Sequence, residues 1–229
     1  MTERQALVVR GGWEGHQPVE ATDYFLPHLQ ANGFAVRVEN SPKVYADADY
    51  MAGVDLIVQC MTMSTIEKDE LAGLTRAVEN GTGLAGWHGG IADSYRSSSD
   101  YLQLVGGQFA CHPPKAAEER TGEQSDYFIP YRVEITAPDH PITQGIGDFE
   151  LVTEQYWVLS DEYNTVLATT TVGKHEWEPW HRPITSPAIW TRDWGKGRVF
   201  VCTPGHDMDV VRNPNVTTII QRGMLWAAR

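Results

Sequence analysis

The chain has 229 residues, of which 41% are hydrophobic and 21% charged, with a net charge of −12. That length suits a single domain over residues 1–229 with a full core. The acidic balance argues against a general nucleic-acid or anionic-membrane binder, and no apolar run of about 18 residues offers a membrane span.

The first half alternates between two kinds of segment. ALVVRGG (6–12) is a short apolar run ending in glycines and reads as a buried strand entering a loop. QPVEATDYFLPHLQANG follows with Val19, Phe25, Leu26 and Leu29 at roughly helical spacing, although Pro27 interrupts it. FAVRVEN (34–40) and VDLIVQCMT (54–62) are the next two strands. STIEKDELAGLTRAVENG (64–81) is the clearest helix. Ser64 and Glu67 have capping-box spacing, Leu71, Leu74 and Val78 share a face, and Asn80-Gly81 closes it. TGLAGWHGG then reads as a strand running into a sharp turn with His88 at its tip.

This β-α-β order implies a parallel sheet covered by helices on both faces, with ligands beyond the carboxyl ends of the strands. The second half differs. Residues 115–130 are polar and read as a surface excursion, YRVEIT (131–136) and EYNTVLATTTV (162–172) are strands, and 187–206 is a hairpin turning at Gly195-Lys196-Gly197. A final helix starts at Asn213-Pro214, a cap followed by a first-position proline, and turns Val216, Ile219, Ile220 and Ala227 inward. The fold expected is α/β with a partly antiparallel extension.

Cys60, Cys111 and Cys202 are scattered and form no CxxC pair, which suits a reducing compartment. The N-terminal residues lack the pattern of a signal peptide, so a cytoplasmic location is expected. Homo-oligomers are common among such proteins, but no exposed apolar face marks one here.

Four of the eight histidines stand beside Gly or Pro where a strand or turn ends: His16, His88, His112 and His206. Imidazole is the usual acid or base near neutral pH and the commonest metal ligand. At least two of the four are expected in one cleft. His88, His112 and His206 are candidate ligands for a divalent metal such as zinc, although no HExxH or paired-cysteine motif supports one. Glu154, among Val152, Tyr156 and Trp157, is expected to be partly buried and to suit a general base. Glu14, Asp93, Asp207 and Asp209 are weaker candidates, since carboxylates in turns are usually structural. Trp13, His16, Trp87 and Tyr156 are candidates for contacting substrate, the tryptophans because they adjoin glycine turns. Core packing is the equal alternative for the aromatics. No glycine pattern supports a nucleotide cofactor.

VVRGGWEGHQPVE, GLAGWHGGIADSYRSSSDYLQLVGGQFACHP, DHPITQGIGDFELVTEQYWVL and PAIWTRDWGKGRVFVCTPGH together resemble the ThuA-like, trehalose-utilisation family, from about residue 6 to 229. The resemblance implies a flavodoxin-like, doubly wound and mostly parallel sheet of the class I glutamine amidotransferase-like type. It places His88 in the turn where the amidotransferases carry their cysteine nucleophile. It also implies a role in sugar metabolism, on disaccharides such as trehalose or their 3-keto derivatives. Thr153-Glu154 stands where many members are expected to carry Asp-Glu, which leaves Glu154 as the carboxylate to consider.

An imidazole is a poor substitute for a thiolate attacking an amide, so amidotransferase chemistry is disfavoured, and Cys111 lies outside the turn. Two readings remain. The chain is an enzyme that abstracts the acidic proton beside a sugar ketone, leading to isomerisation, epimerisation or glycosidic cleavage. Glu154 or His88 would then be base, with His112 and His206 polarising the carbonyl or holding a metal. Alternatively it is a non-catalytic sugar-binding or regulatory protein on the same scaffold. The histidine cluster favours the enzyme, because a binder needs no set of titratable groups.

Overall fold

A computed structural model describes residues 3–229. The strands are β1 (Arg4–Gly12), β2 (Phe34–Glu39), β3 (Leu56–Thr62), β4 (Gly83–Trp87), β5 (Gly107–Cys111), β6 (Phe128–Ile135), β7 (Phe149–Glu154), β8 (Trp157–Ser160), β9 (Thr165–Val172), β10 (Ile184–Trp194) and β11 (Gly197–Cys202). The helices are α1 (Pro18–Ala31), α2 (Ala48–Ala52), α3 (Lys68–Glu79), α4 (Gly89–Ala92), α5 (Ser99–Val105), α6 (Met208–Val211) and α7 (Pro214–Ala227).

Nine strands form one sheet in the order β2-β1-β3-β4-β11-β10-β9-β6-β7, and β5 pairs separately with β8. Strands β2, β1, β3, β4 and β11 are parallel neighbours, while β11-β10-β9-β6-β7 run antiparallel. The parallel part is therefore a flavodoxin-type 2-1-3-4-5 order in which the returning arm of a hairpin supplies the fifth strand. No helix among the described residues is long and apolar enough to cross a membrane.

Strand alternation assigns the two cores. In β1, Ala6 and Val8 face the layer formed by α1 and α7, where Phe25, Leu29, Val216, Ile219 and Met224 are buried. Leu7 and Val9 point the other way, towards Leu74 and Val78 of α3 and Leu104 of α5. The central strands β3 and β4 are buried on both faces because both faces are covered.

Most local expectations hold, with differences of physical interest. Pro27 lies inside α1 instead of ending it, and Val19 is exposed where helical spacing suggested a buried residue. Helix α3 starts later than the Ser64 cap implied. Glu67 is its N-cap, and the Glu67 backbone N–H donates to the Glu70 carboxylate at 2.8 Å, so the acidic box displaces the serine. The cap of α7 is as expected, with Asn213 Oδ1 accepting from the backbone of Asn215 and Val216. Strands β5, β7 and β8 lie where the sequence pattern predicts no strand.

Candidate active site

Four strand ends meet at one side of the sheet. After β1, a tight turn over Glu14–His16 folds the His16 ring back against Trp13, with ring centres 4.7 Å apart. After β4 comes His88, whose φ of 49° and ψ of −142° lie where side-chain-bearing residues are seldom found. This is the strained strand-to-helix turn expected of an elbow, with imidazole at its apex. The following glycines are explained by space. A Cβ on Gly89 would stand 2.5 Å from His16 Cε1, and one on Gly90 would stand 2.8 Å from the Cys60 Cα. His206 follows β11, and Glu154 ends β7, from the antiparallel half of the sheet.

One ligating atom from each of His16, His88, Glu154 and His206 lies within 4.8 Å of the others, and all four residues are buried. His88 Nδ1 donates to the Thr203 carbonyl at 2.7 Å, which leaves Nε2 as a bare lone pair. That atom is 3.2 Å from Glu154 Oε2 and 3.3 Å from His206 Nδ1, and His206 Nδ1 is itself 3.2 Å from Glu154 Oε2. His16 Nδ1 bonds with the Thr62 hydroxyl at 3.0 Å, and its buried Nε2 has no partner among the described residues.

Burial disfavours the charged form of His16, His88 and His112. It holds His16 down at about 2, helped by the charges of His88 and His206, and lowers His88 and His112 as well. Burial pushes the Glu154 carboxyl up, but the neighbouring imidazoles of His206 and His88 outweigh it and keep the group well below the usual carboxylate range.

The network is short of positive charge. One proton on His206 Nδ1 would have to serve both Glu154 Oε2 and His88 Nε2, and His16 Nε2 would still have none. The donor set fits a divalent cation. Tetrahedral bonds of about 2.0–2.1 Å give ligand-to-ligand edges of about 3.3–3.4 Å, close to the separations among His88, His206 and Glu154. The carbonyl behind His88 and the hydroxyl behind His16 are the outer partners that fix which ring nitrogen faces a metal.

The cluster floors a cleft of about 390 Å³ lined by Trp13, His16, His112, Gln124, Glu154 and Tyr156 among others. His112 stands on its wall, with Nε2 3.7 Å from Glu154 Oε1 and its ring 4.1 Å from that of Tyr127. Of the expected metal ligands, His88 and His206 lie in the compact group. His16 completes the compact group, and His112 lies beside it. His88, a candidate base, sits in that group. At 1% exposure, with Nε2 turned into the cluster, it does not line the cleft.

Trp13 is half-exposed at the cleft mouth, and Tyr156 stacks on His88 at 4.2 Å. Trp87, the other tryptophan expected at substrate, lies away from the cleft. It is 1% exposed and packs against Phe25 in the core, because alternation along β4 turns it away from the cleft. Trp87→Ala is expected to cost about 3–5 kcal/mol, read as a lower denaturant midpoint. A variant of unchanged stability that lost only sugar binding would restore the binding role.

Other cleft residues gave little sign in the sequence. Gln124 and Tyr127 come from the segment read as a surface excursion, and Gln124 Nε2 reaches His206 Nε2 at 3.2 Å. Asp93, a weak candidate, is buried in the cleft wall and holds Arg96 through two hydrogen bonds of 2.9 and 2.5 Å. Asp207 proves structural, capping α6.

A flavodoxin-like α/β domain with a histidine–carboxylate cluster at its strand ends, and His88 at the turn after β4, defines the class of protein to which this chain belongs. The family model for ThuA, described as trehalose utilisation, matches residues 5–227, and the chain belongs to that family. Its role is accordingly carbohydrate-related. Solved structures share the fold. A ThuA-like protein of Bacteroides uniformis is 18% identical with a TM-score of 0.73, covering 98% of this chain and 91% of its own. One from Parabacteroides merdae is 14% identical with a TM-score of 0.71, covering 99% and 90%. A protein of Salmonella typhimurium LT2 described as cytoplasmic is 15% identical with a TM-score of 0.65, covering 98% and 100%. No curated protein matches the chain.

Proposed function

We propose that the protein is an enzyme that moves a proton beside the carbonyl of a keto-sugar derived from a disaccharide. The observation that carries this reading is the convergence of three buried histidines and Glu154 within 4.8 Å at the floor of a cleft rimmed by aromatic rings. A ketone acidifies the neighbouring C–H, and a positioned base can take that proton if the developing enolate is stabilised.

His112 is the base in this reading. It faces the cleft, burial keeps it neutral at neutral pH, and Glu154 stands 3.7 Å away to stabilise the imidazolium that forms. Trp13 and Tyr127 offer faces for the apolar side of a sugar ring, and Arg96, steadied by Asp93, offers donors to its hydroxyls. His16, His88, His206 and Glu154 would hold a divalent metal such as zinc, which would supply Lewis acidity at the carbonyl oxygen. Return of the proton elsewhere gives isomerisation or epimerisation, and loss of a β-substituent gives cleavage.

The deciding experiment is deuterium incorporation from D₂O into a 3-keto disaccharide, followed by NMR. The pH profile gives a separate check. The neutral imidazole is the active form, and its pKa is lowered from 6.5 by burial. kcat/KM should therefore fall only below pH 6.5, on the acid side of the ordinary histidine range. An acid limb centred above that value would remove His112 from the role.

A further inference from the structure

Phe128, at the start of β6, contacts the cluster, with its ring 5.1 Å from that of His206. The same residue lines a second cavity, of about 690 Å³, between Pro113 and its neighbours and the segment after β9 that carries His175, Trp177 and Glu178. This size falls in the range of small-molecule sites, about 300–1,000 Å³. Pro113 directly follows His112 and Phe128 directly follows Tyr127, so the chain segments that wall the cleft also wall this groove.

We infer that this groove is a second sugar subsite, which takes the non-reacting ring of the disaccharide. The inference rests on the proposed function and deepens it.

Two independent features point to a polyhydroxylated ring. The first is a flat aromatic platform. His175 and Trp177 lie parallel, with ring centres 4.5 Å apart and planes within 2°, and Trp177 is 49% exposed. The C–H face of a pyranose is an apolar surface suited to such a platform.

The second is a buried carboxylate with unused capacity. The Glu178 side chain is only 4% exposed. Its Oε2 accepts from the His175 backbone N–H at 2.7 Å and lies 3.2 Å from His175 Nδ1. Its Oε1 is buried without a hydrogen-bond partner among the described residues. An acceptor kept from water without a donor is costly, and a small turn of the Glu178 side chain towards the groove it lines would let a ligand hydroxyl relieve that cost. Phosphorylated sugars suit the groove poorly. Glu118, Glu119 and Glu178 line it against Lys115, so the local field repels anions. The ring it takes is neutral.

The test compares binding of trehalose and of glucose, by calorimetry, to the full chain and to Trp177→Ala and Glu178→Gln. Trp177 is half-exposed and the glutamate change is isosteric, so both variants should fold, which circular dichroism checks. The expected result is a preference of about tenfold or more for the disaccharide, the size of one well-placed hydrogen bond to a charged group. Each variant should shrink that preference towards one. Equal affinity for the two sugars in the parent chain, binding of neither, or an undiminished preference in both variants would overturn the subsite.

The outcome separates from that of the catalytic reading. A Trp177-dependent preference without deuterium exchange would sink the enzyme and keep the subsite. Exchange without such a preference would do the reverse.

Discussion

Incubated in D₂O with a 3-keto disaccharide, the protein should replace the hydrogen beside the carbonyl with deuterium, and His112→Gln should slow that exchange by about 10²–10⁴-fold, the usual contribution of a positioned acid or base. His112 lies on the cleft wall at 23% side-chain exposure, so the change should leave the fold intact. Glu154→Gln should slow exchange comparably, because a neutral amide cannot stabilise the imidazolium formed 3.7 Å away. The two losses should not multiply, since both residues serve one proton. Product signals then distinguish isomerisation from cleavage. Undiminished exchange in both variants would exclude the pair. An inactive parent chain that still binds the sugar would favour the reading of a binding or regulatory protein, which the aromatic rim alone would satisfy.

Zinc added to chelator-treated protein should bind at one ion per chain and raise the melting temperature. At a free concentration about a thousand times Kd, binding to the native state adds about 4 kcal/mol. For a domain of this size that corresponds to an increase of about 8–16 °C. His16→Ala or His206→Ala should abolish most of the shift, by removing one of four converging donors. His112→Gln should retain it, because His112 lies outside the compact group. Metal analysis provides a readout independent of turnover. A parent chain that takes up no ion and melts at the same temperature with and without zinc, manganese or nickel would show that Glu154 and the histidines satisfy one another through shared protons alone. The proton-transfer reading would then rest on His112 and Glu154, without a Lewis acid.

The chain's local grammar was legible because it is local. Apolar runs located β1, β3 and β4, the first and last of them running into glycines, helical spacing located α1, α3 and α7, and Asn213-Pro214 marked the last helix start. Flanking Gly or Pro also marks His16, His88, His112 and His206, because a side chain at a strand end is positioned by its own few neighbours. What those neighbours do not contain is the partner. Glu154 is 66 residues from His88 and His206 is 118 residues away, and they meet only because β7 and β11 take particular places in one sheet.

The same long-range pairing separates the aromatics. Trp87 precedes His88 by one residue, yet strand alternation and the packing of α1 send it into the core while Trp13 remains at the mouth. It also brings the polar stretch holding Gln124 and Tyr127 over the cluster, where composition alone suggested free surface. Sequence by itself therefore determined the elements of the parallel half, the class of fold and the candidate histidines, since each depends on periodicity and turn chemistry within a few residues. Which of them share a cation-sized space, which one faces the cleft and which tryptophan is merely packed were decided by the tertiary structure, because those distances follow from strand order and from the two cores pressing on the sheet.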